Sequence, residues 1–259
     1  MKDYKTRPNP TNRMSDDPLL RELLRKTISD NSIEGVIESG TYDGLGSTTM
    51  IAEAFRGLAP PKFFCTCDVN LSKYKRARKN LAKYPFVTCL WGRSVTLTEA
   101  IEFMQNDEML NHHERYPDLF IDWTEHPAWH YLEECKRGFM SHKRALGYYL
   151  RAPLYHLLGI ARYQGEDLLR RLLNRHVNEK VLIVLDSAGG TGFLEFKIVA
   201  ETMNNQAYWL LLDDINHIKH YRSFERIKSD PSFRLLGFDP SRGWALARHT
   251  QPLPAPVKI

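Results

Sequence analysis

The sequence predicts an α/β fold: a doubly wound, mostly parallel sheet with a C-terminal antiparallel hairpin and a largely helical insertion. Three observations support this prediction. Short apolar runs alternate with stretches of helical periodicity, the first run leads into a glycine-rich turn, and two later runs are uninterrupted, as in strands covered on both faces. We expect a single domain over residues 1–259, with an inserted cap at about 99–164 and a disordered N-terminus at about 1–15.

Composition narrows the class of protein. The chain has 259 residues, of which 42% are hydrophobic, and a net charge of +5. No apolar run approaches the roughly 18 residues of a membrane span, and the N-terminus is polar, so we expect a cytoplasmic protein with no membrane partner. The basic run at residues 73–79 would spread its charges around a helix, which favours a solvated face over nucleic-acid binding.

The four cysteines, Cys65, Cys67, Cys89 and Cys135, form no C-x-x-C pair. Cys65 and Cys67 alternate along an apolar run and would share one face of a strand. Reduced, packed thiols are therefore expected rather than a zinc site.

The glycine-rich turn follows the first predicted strand. An apolar run from Gly35 ends at Glu38, and Gly40, Gly44 and Gly46 precede a helical pattern that begins at residue 47. Glycine lets a ligand lie against the backbone because it has no Cβ. The spacing differs from the dinucleotide fingerprint G-x-G-x-x-G. From these residues alone, a plain tight turn between strand and helix remains the alternative.

The segment as a whole resembles motif I of class I S-adenosylmethionine (SAM) dependent methyltransferases, in the form E-x-G-T-x-x-G-x-G-S-T found in sugar and antibiotic O-methyltransferases. The resemblance implies a Rossmann-like fold and a SAM site. The matching residues, expected to bind the cofactor, are Glu38, Gly40, Thr41, Gly44, Gly46, Ser47 and Thr48.

Two later positions extend the predicted cofactor site. The second strand, at residues 62–67, ends at Asp68, where an acid accepts hydrogen bonds from ribose hydroxyls in Rossmann-like sites. Alternatively, Asp68 caps the helix that starts near Leu71. A third strand at residues 86–91 leads to Ser94, which the resemblance places near the adenine.

Upstream, Asp17 or Ser15 is expected to cap a first helix.

Residues 99–164 interrupt the alternation of strands and helices. They contain many aromatic side chains: Trp123, Trp129, Tyr131, Tyr148, Tyr149 and Tyr155. A long insertion of this kind is typical of a lid or an oligomer contact. We interpret it as a cap over the acceptor, and a homo-oligomer remains possible. In the alternative interpretation, residues 116–122 are the fourth strand, and Asp122 is then the acid at the active site.

Two apolar runs after the insertion both end in aspartate. Residues 181–185 lead to Asp186, and residues 208–212 lead to Asp213 and Asp214. A helix is expected directly after Asp214, and then two short strands, the closing hairpin that class I methyltransferases have. Because ligands bind beyond the carboxyl ends of the strands, these acids should meet Glu38 and Asp68 in one crevice.

The acids that follow the two runs resemble the metal site of magnesium-dependent sugar and macrolide O-methyltransferases. The resemblance implies Mg²⁺ on Asp186, Asp213 and Asp214, where it would bind a hydroxyl or diol and lower its pKa. In the alternative, Asp213 or Asp214 caps the next helix and Asp186 contacts the methionine part of SAM. His217 is a candidate general base, with Asp186 as the other catalytic candidate.

The predicted function is SAM-dependent O-methylation of a small-molecule hydroxyl, with a sugar or polyol as the acceptor that the resemblance implies, assisted by a divalent metal. Two alternatives stay open: a nicotinamide-dependent oxidoreductase, which would share the fold class and Asp68, and a non-catalytic protein on a methyltransferase-like fold.

Overall fold

The fold is built on one sheet. The computed structural model describes residues 13–116, 119–122, 125–137 and 161–250. Within them, seven strands lie in the order β3-β2-β1-β4-β5-β7-β6, which confirms the predicted fold class. The strands are β1 (Gly35–Ser39), β2 (Phe63–Asp68), β3 (Val87–Trp91), β4 (Val181–Leu185), β5 (Tyr208–Leu212), β6 (Phe233–Asp239) and β7 (Trp244–His249).

Helices connect the strands. The α-helices within the described ranges are α1 (Pro18–Asn31), α2 (Ser47–Ala54), α3 (Leu71–Asn80), α4 (Leu97–Asn106), α5 (Glu108–Asn111), α6 (Pro127–Arg137), α7 (Leu168–Arg175), α8 (Gly192–Thr202) and α9 (Tyr221–Ser229). Short 3-10 turns form at Met14–Asp16 and His113–Arg115. No helix in the described ranges has the length and apolar character needed to cross a membrane.

Strand pairing decides which acids meet. Strands β1 to β5 pair in parallel, whereas β7 pairs antiparallel with both of its neighbours, β5 and β6. The carboxyl ends of β1, β2, β4 and β5 therefore share one edge. Asp186 follows the fourth strand, and the alternative that placed Asp122 there is wrong, because Phe120 forms only an isolated bridge with His217.

The sheet is covered on both faces, as its apolar runs predicted. All five residues of β4 and all five of β5 are buried. Ile183 and Leu185 belong to one core cluster, whereas Leu182 and Val184 belong to another on the opposite face. The alternation follows from the two-residue period of a strand. This double covering fixes the register of the strands.

The N-terminal segment is more ordered than expected where the structure describes it. Met14 and Ser15 are buried in the 3-10 turn, although residues 1–15 were predicted to be disordered; residues 1–12 lie outside the described ranges. Asp17 caps α1 by accepting from Leu19 N at 2.9 Å, as predicted. Its other oxygen accepts from Trp244 Nε1 at 2.7 Å, which ties this segment to β7.

The segment after β5 differs from the prediction. A helix was expected directly after Asp214, but α9 begins only at Tyr221. The intervening turn pairs with the insertion instead: Phe120 N donates to Asn216 O and Ile218 N donates to Phe120 O, both at 2.9 Å. These main-chain bonds replace helical ones and bring Lys219 to the carboxyl edge of the sheet.

The insertion contributes α4, α5 and α6 to the described structure. Tyr131 on α6 is 1% exposed and belongs to a core cluster, whereas Trp129 on the same helix is 55% exposed. Trp123, Tyr148, Tyr149 and Tyr155, which were part of the case for a cap, lie outside the described residues.

Candidate active site

A cavity of about 710 Å³ opens at the carboxyl edge of the sheet. It is lined by the glycine turn, by the residues that follow β2, β3, β4 and β5, and by α6 of the insertion. Ligands bind at this edge in open α/β sheets, and cavities of roughly 300–1,000 Å³ hold small molecules and cofactors. The cavity is therefore the candidate site.

The glycines of the turn have three different roles. Gly40 has φ +87° and lies against the main chain of Asp186. Gly44 has φ +78° and packs against Leu81, the residue directly after α3. Gly46 lines the cavity, and a Cβ there would have no protein atom within 4 Å. Space beside the backbone is thus left at Gly46, where a ligand can approach closely.

The predicted cofactor residues fall into two groups. The cavity is lined by Gly40, Thr41, Gly46, Ser47, Asp68 and Ser94. Glu38, Gly44 and Thr48 lie behind it. Glu38 is fully buried and accepts a hydrogen bond from Thr48 Oγ1 at 2.6 Å. Burial raises the pKa of Glu38 to about 7. These three residues support the turn rather than face the cavity.

Asp68 joins two loops at the rim of the cavity. Its Oδ2 accepts from Tyr42 N at 2.9 Å, and its Oδ1 accepts from Asn70 N at 2.7 Å. The cap of α3 is Asn70, which accepts from Ser72 N and Lys73 N, so the capping alternative for Asp68 is wrong. Burial raises the pKa of Asp68 despite these bonds. A carboxylate has about four acceptor positions, which leaves capacity for ribose hydroxyls.

Ser94 has a partner that sequence reasoning missed. Its hydroxyl donates to Glu195 of α8, and Ser39 Oγ donates to the other oxygen of Glu195 at 2.8 Å. Glu195 is fully buried, and burial raises its pKa. The sequence did contain a signal for this buried acid, because Glu195 is the one charged residue in the apolar stretch G-F-L-E-F of the helix. Glu195 links the ends of β1 and β3 beneath the cavity.

The three predicted metal ligands do converge, but they converge on a lysine. Lys219 Nζ lies 2.8 Å from Asp186 Oδ1, 3.2 Å from Asp214 Oδ2 and 3.6 Å from Asp213 Oδ2. Ser47 Oγ donates to the remaining Asp186 oxygen at 3.2 Å. Lys219 belongs to the turn that was predicted to be helical, so its position was not foreseen.

Charge interactions of Lys219 with Asp186 and Asp213 are strong because these three side chains are largely buried, whereas Asp214 is 55% exposed. Burial disfavours the Lys219 ammonium, but the neighbouring carboxylates outweigh it and hold the pKa of Lys219 well above its usual value. Burial, with repulsion from Asp186, raises the pKa of Asp213 well above its usual value. The lysine is therefore the cation that the carboxylates share.

This arrangement does not fit a magnesium ion. Mg²⁺ needs oxygen ligands directed at a common point about 2.0–2.1 Å away, and here an ammonium group lies among those oxygens. Within the described ranges, no group of three or more His, Cys, Asp or Glu side chains is arranged to hold a metal. The predicted site on Asp186, Asp213 and Asp214 thus has the residues but a different occupant.

His217 faces away from the acid cluster. Its Nδ1 accepts from Lys219 N at 3.2 Å, and its Nε2 lies 3.3 Å from Asp122 Oδ2. Tyr131 OH donates to the same Asp122 oxygen at 2.8 Å. The hydrogen bond from His217 is the main reason that the pKa of Asp122 is lowered. Of these three residues, Tyr131 lines the cavity, so His217 reaches it only through Tyr131.

The solved structures to which the chain is similar include several O-methyltransferases. No protein-family model and no curated protein matches the sequence. Among solved structures, it is similar to a caffeoyl-CoA O-methyltransferase of tentative assignment from Staphylococcus aureus (15% identity, 90% of this chain and 84% of that one, TM-score 0.44).

Two further structures come from Bacillus cereus and Streptomyces achromogenes. The first is an O-methyltransferase in complex with SAH (S-adenosylhomocysteine; 13% identity, 93% and 84% coverage, TM-score 0.46). The second is an O-methyltransferase of tomaymycin synthesis in complex with SAM (15% identity, 90% and 81% coverage, TM-score 0.43). Similarity at this level describes the fold alone, so function has to be argued from the cavity.

Proposed function

We propose that this chain is a SAM-dependent methyltransferase that transfers a methyl group to a hydroxyl of a small molecule. The observation that supports the proposal most strongly is the cavity at the glycine turn. Gly46 leaves open space beside the backbone there, and Asp68 lines the same cavity at the end of β2. An acid at this strand end is suited to the two hydroxyls of a ribose.

The strand order separates this proposal from a nicotinamide-dependent oxidoreductase. Dinucleotide-binding folds have the parallel order 3-2-1-4-5-6, whereas here the antiparallel β7 lies between β5 and β6. The glycine spacing also differs from that of the dinucleotide fingerprint. Both observations favour a methyltransferase.

The residues that would hold SAM lie along the glycine turn and the next two strand ends. Thr41, Gly46 and Ser47 line the cavity, Asp68 would accept from the ribose, and Ser94 lines the cavity after the end of β3. When bound, SAM supplies a methyl group on a positively charged sulfur. The acceptor oxygen bonds to the methyl carbon, and the sulfur is the leaving group. The protein's task is to hold donor and acceptor in line.

The acceptor's proton must leave as the new carbon–oxygen bond forms. Asp186 is the best-placed acceptor of that proton, because it lines the cavity and its carboxylate is held by Ser47 and Lys219. We propose His217 as a positioning residue: its Nδ1 accepts from Lys219 N and its Nε2 contacts Asp122, so it holds Asp122 and Tyr131 in place at the α6 side of the cavity. No step is assigned to magnesium, because Lys219 lies among its predicted ligands.

The acceptor is proposed to enter from the side of the insertion. Tyr131, Glu134 and Cys135 of α6 and Met104 of α4 line the cavity. This mixed apolar and polar wall fits a small hydroxylated molecule. A sugar or polyol, which the resemblance to sugar O-methyltransferases implies, belongs to this class of acceptor.

Ligand binding tests the proposal directly. Calorimetry should show 1:1 binding of SAH to the purified chain, and thermal unfolding should shift upward with SAH but not with NAD. A ligand at 100 times its Kd stabilises the folded state by about 2.7 kcal/mol. Stabilisation by NAD with no response to SAH would favour the oxidoreductase. No response to either would favour the non-catalytic alternative.

A further inference from the structure

Lys219 is the most deeply embedded cation of the candidate site. Its side chain is 5% exposed, and its ammonium contacts carboxylates that follow two adjacent strands. An ammonium group has three N–H donors and no acceptor. Two of the contacts, to Asp186 and Asp214, are hydrogen bonds. The third carboxylate, Asp213, is close enough for an ion pair.

The surrounding structure is shaped to admit this lysine. A Cβ on Gly192 would lie 2.5 Å from Lys219 O and 2.7 Å from Lys219 Cγ, so only glycine leaves room for the lysine stem. Asp214 adopts φ +59°, an uncommon conformation outside glycine. Ile215 N then donates to Gly243 O at 2.8 Å. The turn is thus held by its own contacts in the shape that directs Lys219 inward.

We infer that Lys219 takes the place of a divalent cation. The ammonium group of its side chain holds Asp186, Asp213 and Asp214 together, and the site works without a metal. The catalytic meaning of this inference rests on the proposed methyl transfer. The charge argument does not, because carboxylates this close need a cation whether or not a reaction occurs.

The inference changes the expected acceptor class. A magnesium ion can bind two adjacent substrate oxygens at once, which selects diols. A lysine whose three donors already face carboxylates offers no such pair of binding positions. The acceptor therefore needs only one hydroxyl, positioned by the cavity wall and by Asp186, and a diol is not required.

Manganese binding tests the inference without any turnover. Mn²⁺ is added to the full chain, with and without SAH, and the free ion is followed by electron paramagnetic resonance. The wild type should show no 1:1 site below millimolar Mn²⁺. Lys219→Ala removes the ammonium and opens space among three carboxylates, so it should gain a site at least tenfold tighter than any in the wild type. Lys228→Ala, which removes an exposed lysine paired with Glu225, should behave as the wild type.

Two results would overturn the inference. One is a folded Lys219→Ala variant that gains no Mn²⁺ site. The other is a tight 1:1 Mn²⁺ site in the wild type that Asp213→Asn abolishes, and this result is decisive even if Lys219→Ala does not fold. Calorimetry with SAH on the same samples separates the two proposals: loss of SAH binding bears on the methyltransferase, whereas the manganese pattern bears on Lys219.

Discussion

A Cβ atom on Gly40 would lie 1.9 Å from the carbonyl oxygen of Asp186, so the residues after β1 and β4 are closer than any side chain permits. Gly40 also has φ +87°, which L-residues rarely adopt. The floor of the cavity therefore depends on a glycine at this position.

Gly40→Ala should destabilise the fold, because the methyl group cannot be accommodated without moving β1 or β4. We expect a loss of roughly 2 kcal/mol or more in the free energy of unfolding, measured with urea. Gly46→Ala is the matched variant, since its Cβ would meet no protein atom. The backbone of Gly46 (φ −91°, ψ −121°) lies outside the main regions of L-residues, so this variant should lose some stability, but less than Gly40→Ala, and it should weaken SAH binding. Equal stability of both variants would contradict this account of Gly40.

Asp68→Ala should weaken cofactor binding. Hydrogen bonds to a charged group contribute about 1.5–3 kcal/mol, which corresponds to roughly 10- to 150-fold in the Kd of SAH by calorimetry. Because Asp68 also accepts from Tyr42 N and Asn70 N, part of the loss could come from the loops. Asp68→Asn keeps one acceptor oxygen and should bind SAH with intermediate affinity. Unchanged affinity in Asp68→Ala would remove Asp68 from the cofactor site.

His217→Gln tests the positioning role of His217. The variant loses the contact with Asp122, so methyl transfer should slow, by less than the roughly 10²–10⁴-fold typical for loss of a general base, and SAH affinity should stay unchanged because His217 lies behind Tyr131. Tyr131→Phe should slow methyl transfer in the same direction, since it removes the hydroxyl between His217 and the cavity. The rates are measured with an acceptor identified from a panel of phenols and sugars. Full activity in both variants would leave Asp186 as the base.

Asp17→Ala should destabilise the protein through two lost hydrogen bonds and a lost ion pair with Arg242 Nε at 3.6 Å. The cap of α1 contributes about 1 kcal/mol, and the bond from Trp244 Nε1 to a buried carboxylate about 1.5–3 kcal/mol. We expect a total loss of roughly 2–4 kcal/mol in urea unfolding. Asp16→Ala, at an exposed neighbouring position, should change stability by less than about 0.5 kcal/mol. Similar losses in the two variants would argue against a special role for Asp17.

Glu38 should make stability depend on pH. Burial raises its pKa from 4.5 to about 7 in the folded state, so the folded chain keeps a proton that the unfolded chain releases between these values. Its contribution is complete below about pH 4.5 and is lost as the pH rises through about 7. The loss is of the order of 3 kcal/mol, at 1.36 kcal/mol per pKa unit.

Glu38→Gln keeps the shape of the side chain without the titration. Urea unfolding at pH 5 and pH 8.5 should therefore show a smaller decrease in stability for this variant than for the wild type. Glu225→Gln, on the exposed face of α9, serves as the control. An equal pH dependence in Glu38→Gln and the wild type would mean that Glu38 is already ionised at pH 5.

Sequence patterns predicted those parts of the candidate site in which a residue's position follows from its place at the end of a strand. The apolar runs indicated β4 and β5, and the aspartates after them had to share one edge because parallel strands end together. The strand pattern could not exclude Asp122 as a strand end, because residues 116–122 also form a short apolar run before an acid. Main-chain pairing of Phe120 with the turn after β5 decided that question.

By itself, the sequence determined the sheet, the glycine turn and the convergence of three aspartates. These features follow from hydrophobic periodicity and glycine spacing, which involve only residues close together in the chain. Only the tertiary structure decided what the aspartates surround. Lys219 lies in a stretch whose local pattern favours a helix, and contacts with Phe120, Gly192 and Gly243 from three other parts of the chain hold it in a turn instead. Glu195 is a second case, since its partners Ser39 and Ser94 lie 156 and 101 residues away. Contacts across such separations depend on packing, which no local pattern encodes.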